Sequence, residues 1–102
     1  MSMQLGEVGT KLLFEDERVK VWQLAVEKGQ ATPWHEHMYD YIYVVVEPGH
    51  VRTEFLNGTY EEQNDVPGSA VLRKKDDIHR LVNLGDSTYT NVIIELKNNS
   101  PS

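Results

Sequence analysis

The chain contains no cysteine. A disulfide framework, a thiolate metal site and a cysteine nucleophile are all excluded, and any metal must be held by imidazole, carboxylate, phenolate or carbonyl oxygen. Long apolar runs are missing too: nothing approaches the ~20 residues needed to span a bilayer. Met1 to Gly9 has no basic stretch followed by an apolar one, so no signal peptide is expected and a cytoplasmic location is the default expectation. Basic charge is scarce. Ten Lys and Arg face 16 Asp and Glu, the formal net charge is −6, and no basic cluster exceeds Arg73-Lys74-Lys75. Such a surface would release few counterions from nucleic acid and would be repelled by anionic lipid, so neither is an expected partner. No Gly-rich phosphate loop, nucleophile elbow or Ser-His-Asp arrangement can be found, which leaves nucleophilic hydrolysis unsupported.

Helical periodicity is the last absence. Apolar residues recur instead in short runs separated by turn residues, the pattern of strands. Lys11 to Glu15 is a first run, closed by Asp16-Glu17. Arg18 to Glu27 alternates, with Lys20, Trp22, Leu24 and Val26 on one face and Val19, Val21, Gln23, Ala25 and Glu27 on the other. Thr32 to His37 is a short segment opened by Pro33. Tyr41 to Val46 is a continuous β-branched and aromatic run, as expected of a strand covered on both sides. Val51 to Leu56 and Thr59 to Gln63 are joined by Asn57-Gly58, a strong hairpin signal. Ser69 to Arg73, Ile78 to Leu84 and Thr88 to Lys97 complete the set, with Lys74 to Asp77 and Gly85-Asp86 between them and a polar tail from Asn98 to Ser102. At 102 residues the chain has room for one domain. Closely spaced strands without a helical insert predict one all-β barrel or sandwich, residues 1–102, with its core at about 10–97.

Four histidines carry the chemical interest: His35, His37, His50 and His79. Residues i and i+2 of a strand share a face, about 7 Å apart at Cα for a rise of ~3.3 Å per residue, so the His35 and His37 imidazoles can converge on one ion. Two histidines seldom hold a first-row metal alone, and His79 is the obvious third ligand. His50 follows a Pro-Gly turn and is expected at the surface. Arg52 and Arg73 are also read as surface residues, able to meet a carboxylate substrate only if they point inward. Trp34 either shields an ion or fills the barrel mouth, and Asn83 ties a loop.

The spacing of these residues resembles that of the cupin superfamily. Gly29, five residues, His35, one residue, His37 resembles its first motif. Gly68, five residues, Lys74-Lys75-Asp76, two residues, His79, three residues, Asn83 resembles the second, with Lys74 and Asp76 in place of a Pro and a Gly. The likeness runs from Val19 to Leu96 and implies a double-stranded β-helix (jelly-roll) barrel holding one divalent metal ion (Fe, Mn, Ni or Zn) on His35, His37 and His79. Trp34-His35-Glu36-His37 and Asp40-Tyr41 are further similar to small cupins associated with β-alanine degradation. The sequence departs from the family where its glutamate ligand would stand, at Tyr41 or Ile42. Three readings follow: three histidines with open positions, three histidines plus the Tyr41 phenol, or three histidines plus Asp40 swung inward by a bulge. Tyr41 as a group near bound substrate is the preferred one, and Glu36 faces away by parity.

The resemblance implies either a metal-dependent enzyme, dioxygenase-like and acting on a small organic acid, with Tyr41 as a candidate catalytic residue, or a non-catalytic small-ligand-binding or sensing module. A homodimer is expected through an edge strand, supplied by Lys11 to Glu15 or by Thr88 to Lys97.

Overall fold

The computed structural model describes residues 4–75 and 78–97. Asp76 and the tail from Asn98 to Ser102 lie outside the described residues. Eight antiparallel strands form the fold: β1 (Lys11–Glu15), β2 (Val19–Val26), β3 (Tyr41–Glu47), β4 (Gly49–Phe55), β5 (Tyr60–Asp65), β6 (Ala70–Arg73), β7 (His79–Asn83) and β8 (Tyr89–Leu96). They make a five-stranded sheet in the order β1-β2-β8-β3-β6 and a three-stranded sheet in the order β5-β4-β7. The all-β architecture follows from the alternation in each strand. Trp22, Leu24 and Val26, which share one face of β2, are buried, and Tyr41 and Val45 of β3 pack with Ile93 and Tyr89 of β8 inside.

Three expectations change. The segment from Thr32 to His37 is not a full strand; it touches β7 through isolated bridges, Ala31 to Val82 and His35 to His79. β3 is covered on one face only. Tyr41 and Val45 are buried but Val46 is half exposed, because the two sheets enclose the inner face of β3 and leave the outer one without a second layer. Thr88 to Lys97 is not an edge, since β8 pairs with both β2 and β3. The open edges of the larger sheet are β1 and β6.

The interior holds two apolar clusters, one around Val8, Trp22, Leu24, Val26, Tyr41 and Ile93, the other around Val45, Val51 and Tyr89. Tyr43 and Leu81 pack against both. Each aliphatic side chain so buried contributes about 1.5–3 kcal/mol. Polar ties then lock the two sheets together. Gln63 Nε2 of β5 donates to the Tyr43 hydroxyl of β3 at 2.9 Å. Asn83, at the end of β7, donates from Nδ2 to the carbonyls of Val26 (2.9 Å) and Ser87 (2.8 Å), and its Oδ1 accepts from the Gly85 amide at 2.9 Å. Asn83 is therefore a loop tie, as expected from sequence. The two motif glycines, Gly29 and Gly68, turn the chain at φ +74° and +86°, where a side chain would be strained.

Replacing Asn83 with Ala leaves two carbonyls and one amide without their side-chain partner in a buried place. The expected cost is about 2–4 kcal/mol in chemical denaturation; a loss below about 0.5 kcal/mol would show that the loop does not depend on this tie.

Candidate metal centre

The backbone places the histidines before the side chains do anything. His35 and His79 form a reciprocal antiparallel bridge, each amide donating to the other's carbonyl at 2.9 Å. Residues so opposed put their side chains on the same side of the sheet, and the two ring centroids are 4.7 Å apart. His37, two residues on, returns to that face, 5.2 Å from the ring of His35 and 5.2 Å from that of His79. All three are buried, and one ligand atom from each lies within 4.8 Å of the others. The His-x-His spacing and the distant His79 thus meet as the sequence implied.

Tautomer and charge suit a cation. The Pro33 carbonyl can only accept, so the His35 Nδ1 at 2.9 Å from it carries a proton, and in the neutral ring Nε2 is the nitrogen with the lone pair. Burial, with the neighbouring His35 and His79 behind it, lowers the His37 pKa from 6.5 to about 3. The imidazole is therefore neutral and available for coordination. Three nitrogens around one ion at about 2.1 Å stand about 3.0–3.4 Å apart, so a shift below one ångström per ring would suffice. The donor set fits a divalent first-row metal.

Of the two suggested fourth ligands, Asp40 lies outside the cluster and Tyr41 lies against it. Asp40 is turned to the chain ahead of β7, where Oδ1 accepts the Lys75 amide at 2.9 Å; no bulge swings it inward, and it lies outside the histidine group. Tyr41 stacks flat on His37, with centroids 3.7 Å apart and planes at 13°, and so forms a wall of the site. A carboxylate does stand beside the cluster, on a residue the sequence reading missed. Glu95 of β8 is the cross-strand partner of Tyr41. Its Oε1 accepts from Trp22 Nε1 at 2.8 Å, and its Oε2 stands 3.9 Å from His37 Nδ1, an atom with no hydrogen-bond partner among the described residues. Burial raises the Glu95 pKa, and the Trp22 bond offsets that in part. Parity was the available signal, because Glu95 shares the inward face of β8 with Asn91 and Ile93.

The histidines open into a cavity of about 50 Å³ lined also by Tyr41, Tyr43, Arg73, Tyr89 and Asn91. Arg73 reaches this wall, contrary to its surface reading; it is half-buried and 3.7 Å from Glu61. Arg52 stays outside, paired with Glu54 and Glu62 over the Tyr60 ring. Trp34 lies away from the cavity beneath the Arg80 guanidinium, and His50 is a surface partner of Glu62.

In metal-free protein the unfolded chain takes up a proton at His37 below pH 6.5 that the folded chain refuses until about pH 3. Stability is then complete above 6.5 and falls as pH drops, by about 1.4 kcal/mol per unit for one proton. Glu95, with its raised pKa, works the opposite way from its ordinary 4.5 upward, so the His37 contribution is read as the difference between wild type and His37→Gln. Urea midpoints between pH 5 and 6.5 are expected to fall more steeply with acidification in wild type than in His37→Gln; equal slopes would contradict the buried neutral ring.

No protein-family model matches the sequence, and a search of curated proteins finds no match. Solved structures do match. A cupin domain from Bordetella pertussis Tohama I is 27% identical, with 90% of this chain and 99% of that one covered at a TM-score of 0.76. A conserved protein with a double-stranded β-helix domain from Klebsiella pneumoniae is 17% identical, covering 97% of this chain and 86% of that one at 0.71. A polyketide cyclase from Streptomyces resistomycificus is 21% identical, covering 84% and 59% at 0.62. These neighbours bring no link to β-alanine degradation. With its two antiparallel sheets and buried histidine cluster, the chain has the all-β, double-stranded β-helix fold of the cupin superfamily.

Proposed function

We propose that this protein binds one divalent metal ion through His35, His37 and His79 and acts on a small organic acid in the adjoining cavity. The convergence of three buried imidazoles, with His37 held neutral by burial and the His35 Nδ1–H tied to the Pro33 carbonyl, carries this reading. An ion held by neutral imidazoles keeps its full charge to polarise a carboxylate or carbonyl, and with iron(II) its remaining positions suit dioxygenase-like chemistry.

The chain's own groups divide the remaining work. Tyr41 fixes the His37 ring by stacking and stands where its hydroxyl can meet substrate. Glu95, held by Trp22, accepts the Nδ1 proton of His37 once the ring settles, which turns the other nitrogen toward the ion. Arg73 brings positive charge to a wall of the cavity and suits an anionic substrate. Leu24, Leu81 and Ile93 keep bulk water from much of the remainder.

A binding or sensing module without turnover is the second reading, favoured by the absence of a carboxylate at the Tyr41 position itself. Iron(II)-loaded protein offered a panel of two- to four-carbon acids separates the two. Product formation above that of His79→Ala supports the enzyme, whereas thermal stabilisation by an acid with no chemical change supports the module.

We also propose a homodimer paired along β1, whose five residues are all exposed and include Leu12, Leu13 and Phe14 on an open edge. Light scattering is expected to give twice the chain mass, and a monomeric mass at all concentrations would reject this pairing.

The metal reading is tested by titration with Co(II), followed through its visible absorption. His79→Ala is expected to lose at least 100-fold in affinity, and Glu95→Gln 10–100-fold, the usual range for a carboxylate behind a ligating histidine. Co(II) affinity within threefold of wild type in His79→Ala would sink the site.

A further inference from the structure

The end of the cavity formed by β5 and β8 carries a polar chain that the metal site does not use. Tyr89, almost wholly buried, donates its hydroxyl proton to Asp65 Oδ2 at 2.6 Å. Asp65 Oδ1 accepts from Gln63 Nε2 at 2.9 Å. Burial and the bond to Asp65 both raise the Tyr89 pKa, so the phenol keeps its proton. With that proton spent on Asp65, the Tyr89 oxygen can only accept from its other neighbour, and Asn91 Nδ2 donates to it at 2.9 Å. The carboxylate at one end thereby dictates the orientation of the Asn91 amide at the other. Asn91 turns its NH₂ toward Tyr89 and is left with its carbonyl oxygen elsewhere.

That oxygen is the unusual atom. Asn91 is 4% exposed, it lines the cavity, and its Oδ1 has no hydrogen-bond partner among the described residues. A buried acceptor without a partner is costly, and native interiors rarely keep one. Flipping the amide would not relieve it, since the carbonyl would then face the lone pairs of a phenol whose proton is already committed. The remaining relief is a donor entering the cavity. About 50 Å³ is room for a few water-sized groups at about 10–15 Å³ each, which limits the occupant to a handful of heavy atoms.

We infer that Asn91 Oδ1 is a specificity contact: the ligand is a short acid, of two to four carbons, that also carries an O–H or N–H donor, and Asn91 accepts that donor. Resting on the proposed small-acid site, the inference selects hydroxy or amino acids over plain ones. Tyr89 and Asp65 are positioning residues, since they act through the Asn91 amide.

The test is calorimetric binding of two matched pairs, glycolate against acetate and 3-hydroxypropionate against propionate, to Co(II)-loaded and metal-free protein. Wild type is expected to prefer the hydroxylated member at least fivefold in one pair, and a smaller ratio in both pairs overturns the inference, as when the oxygen merely holds a water. Asn91→Leu removes the acceptor, and Tyr89→Phe keeps the packing but releases the amide. The ratio is expected to fall below twofold in the first and to drop in the second, with circular dichroism verifying that each is folded. An unchanged ratio in both variants overturns the inference, because the hydroxyl would then be bound by the ion or another group. Co(II) absorption is read in parallel. A retained ratio without Co(II) uptake sinks the metal reading and leaves the Asn91 contact standing; Co(II) uptake without a ratio does the reverse.

Discussion

The antiparallel bridge between His35 and His79 is the constraint on which the site depends. Two residues 44 positions apart exchange both backbone hydrogen bonds at 2.9 Å, so their side chains have no choice but to share a face. The face they share is the inside of a barrel, and there burial decides their chemistry. An imidazolium in that interior would pay desolvation and repulsion from its neighbours together, which is why His37 stays neutral far below its ordinary range. Geometry and protonation state thus have one origin. The sheet that gathers the rings also dries them.

The interior is organised as apolar clusters with polar work between them. Val45, Val51 and Tyr89 form one pole and the Trp22, Leu24 and Tyr41 group another. The cavity that both border is lined by His35, His37, His79 and Asn91, all buried, as is Glu95 beside His37. Buried polar groups of this kind are the informative ones, since each must be partnered or else marks a place where something binds. Trp22 links the two roles. It packs in the core and its indole N–H restrains Glu95, so a core residue positions a carboxylate beside a candidate metal ligand.

Local pattern made much of this legible. Alternation in Val19–Val26 sorted β2 into its two faces, the Asn57-Gly58 turn placed the β4–β5 hairpin, and histidine spacing with the motif glycines picked out the three rings that converge. The misreadings share a cause. Tyr41 to Val46 looked like a strand covered twice because composition does not say whether a second layer exists outside. Thr88 to Lys97 looked like a possible edge because strand order is not written in chain order. Asp40 was considered and Glu95 overlooked because proximity along the chain stood in for proximity across the sheet.

By itself, the sequence determined that the chain is built of short strands, which residues of a strand share a face, and the absence of any thiolate ligand, because these depend on side-chain chemistry and a period of two. Tertiary structure alone decided which strands became neighbours. Only that pairing set Glu95 against Tyr41, brought Arg73 to the cavity wall, and ran the hydrogen-bond chain from Asp65 through Tyr89 to Asn91. The physical reason is that long-range pairing is chosen by the summed burial and hydrogen bonding of the whole barrel, and no single segment carries that sum.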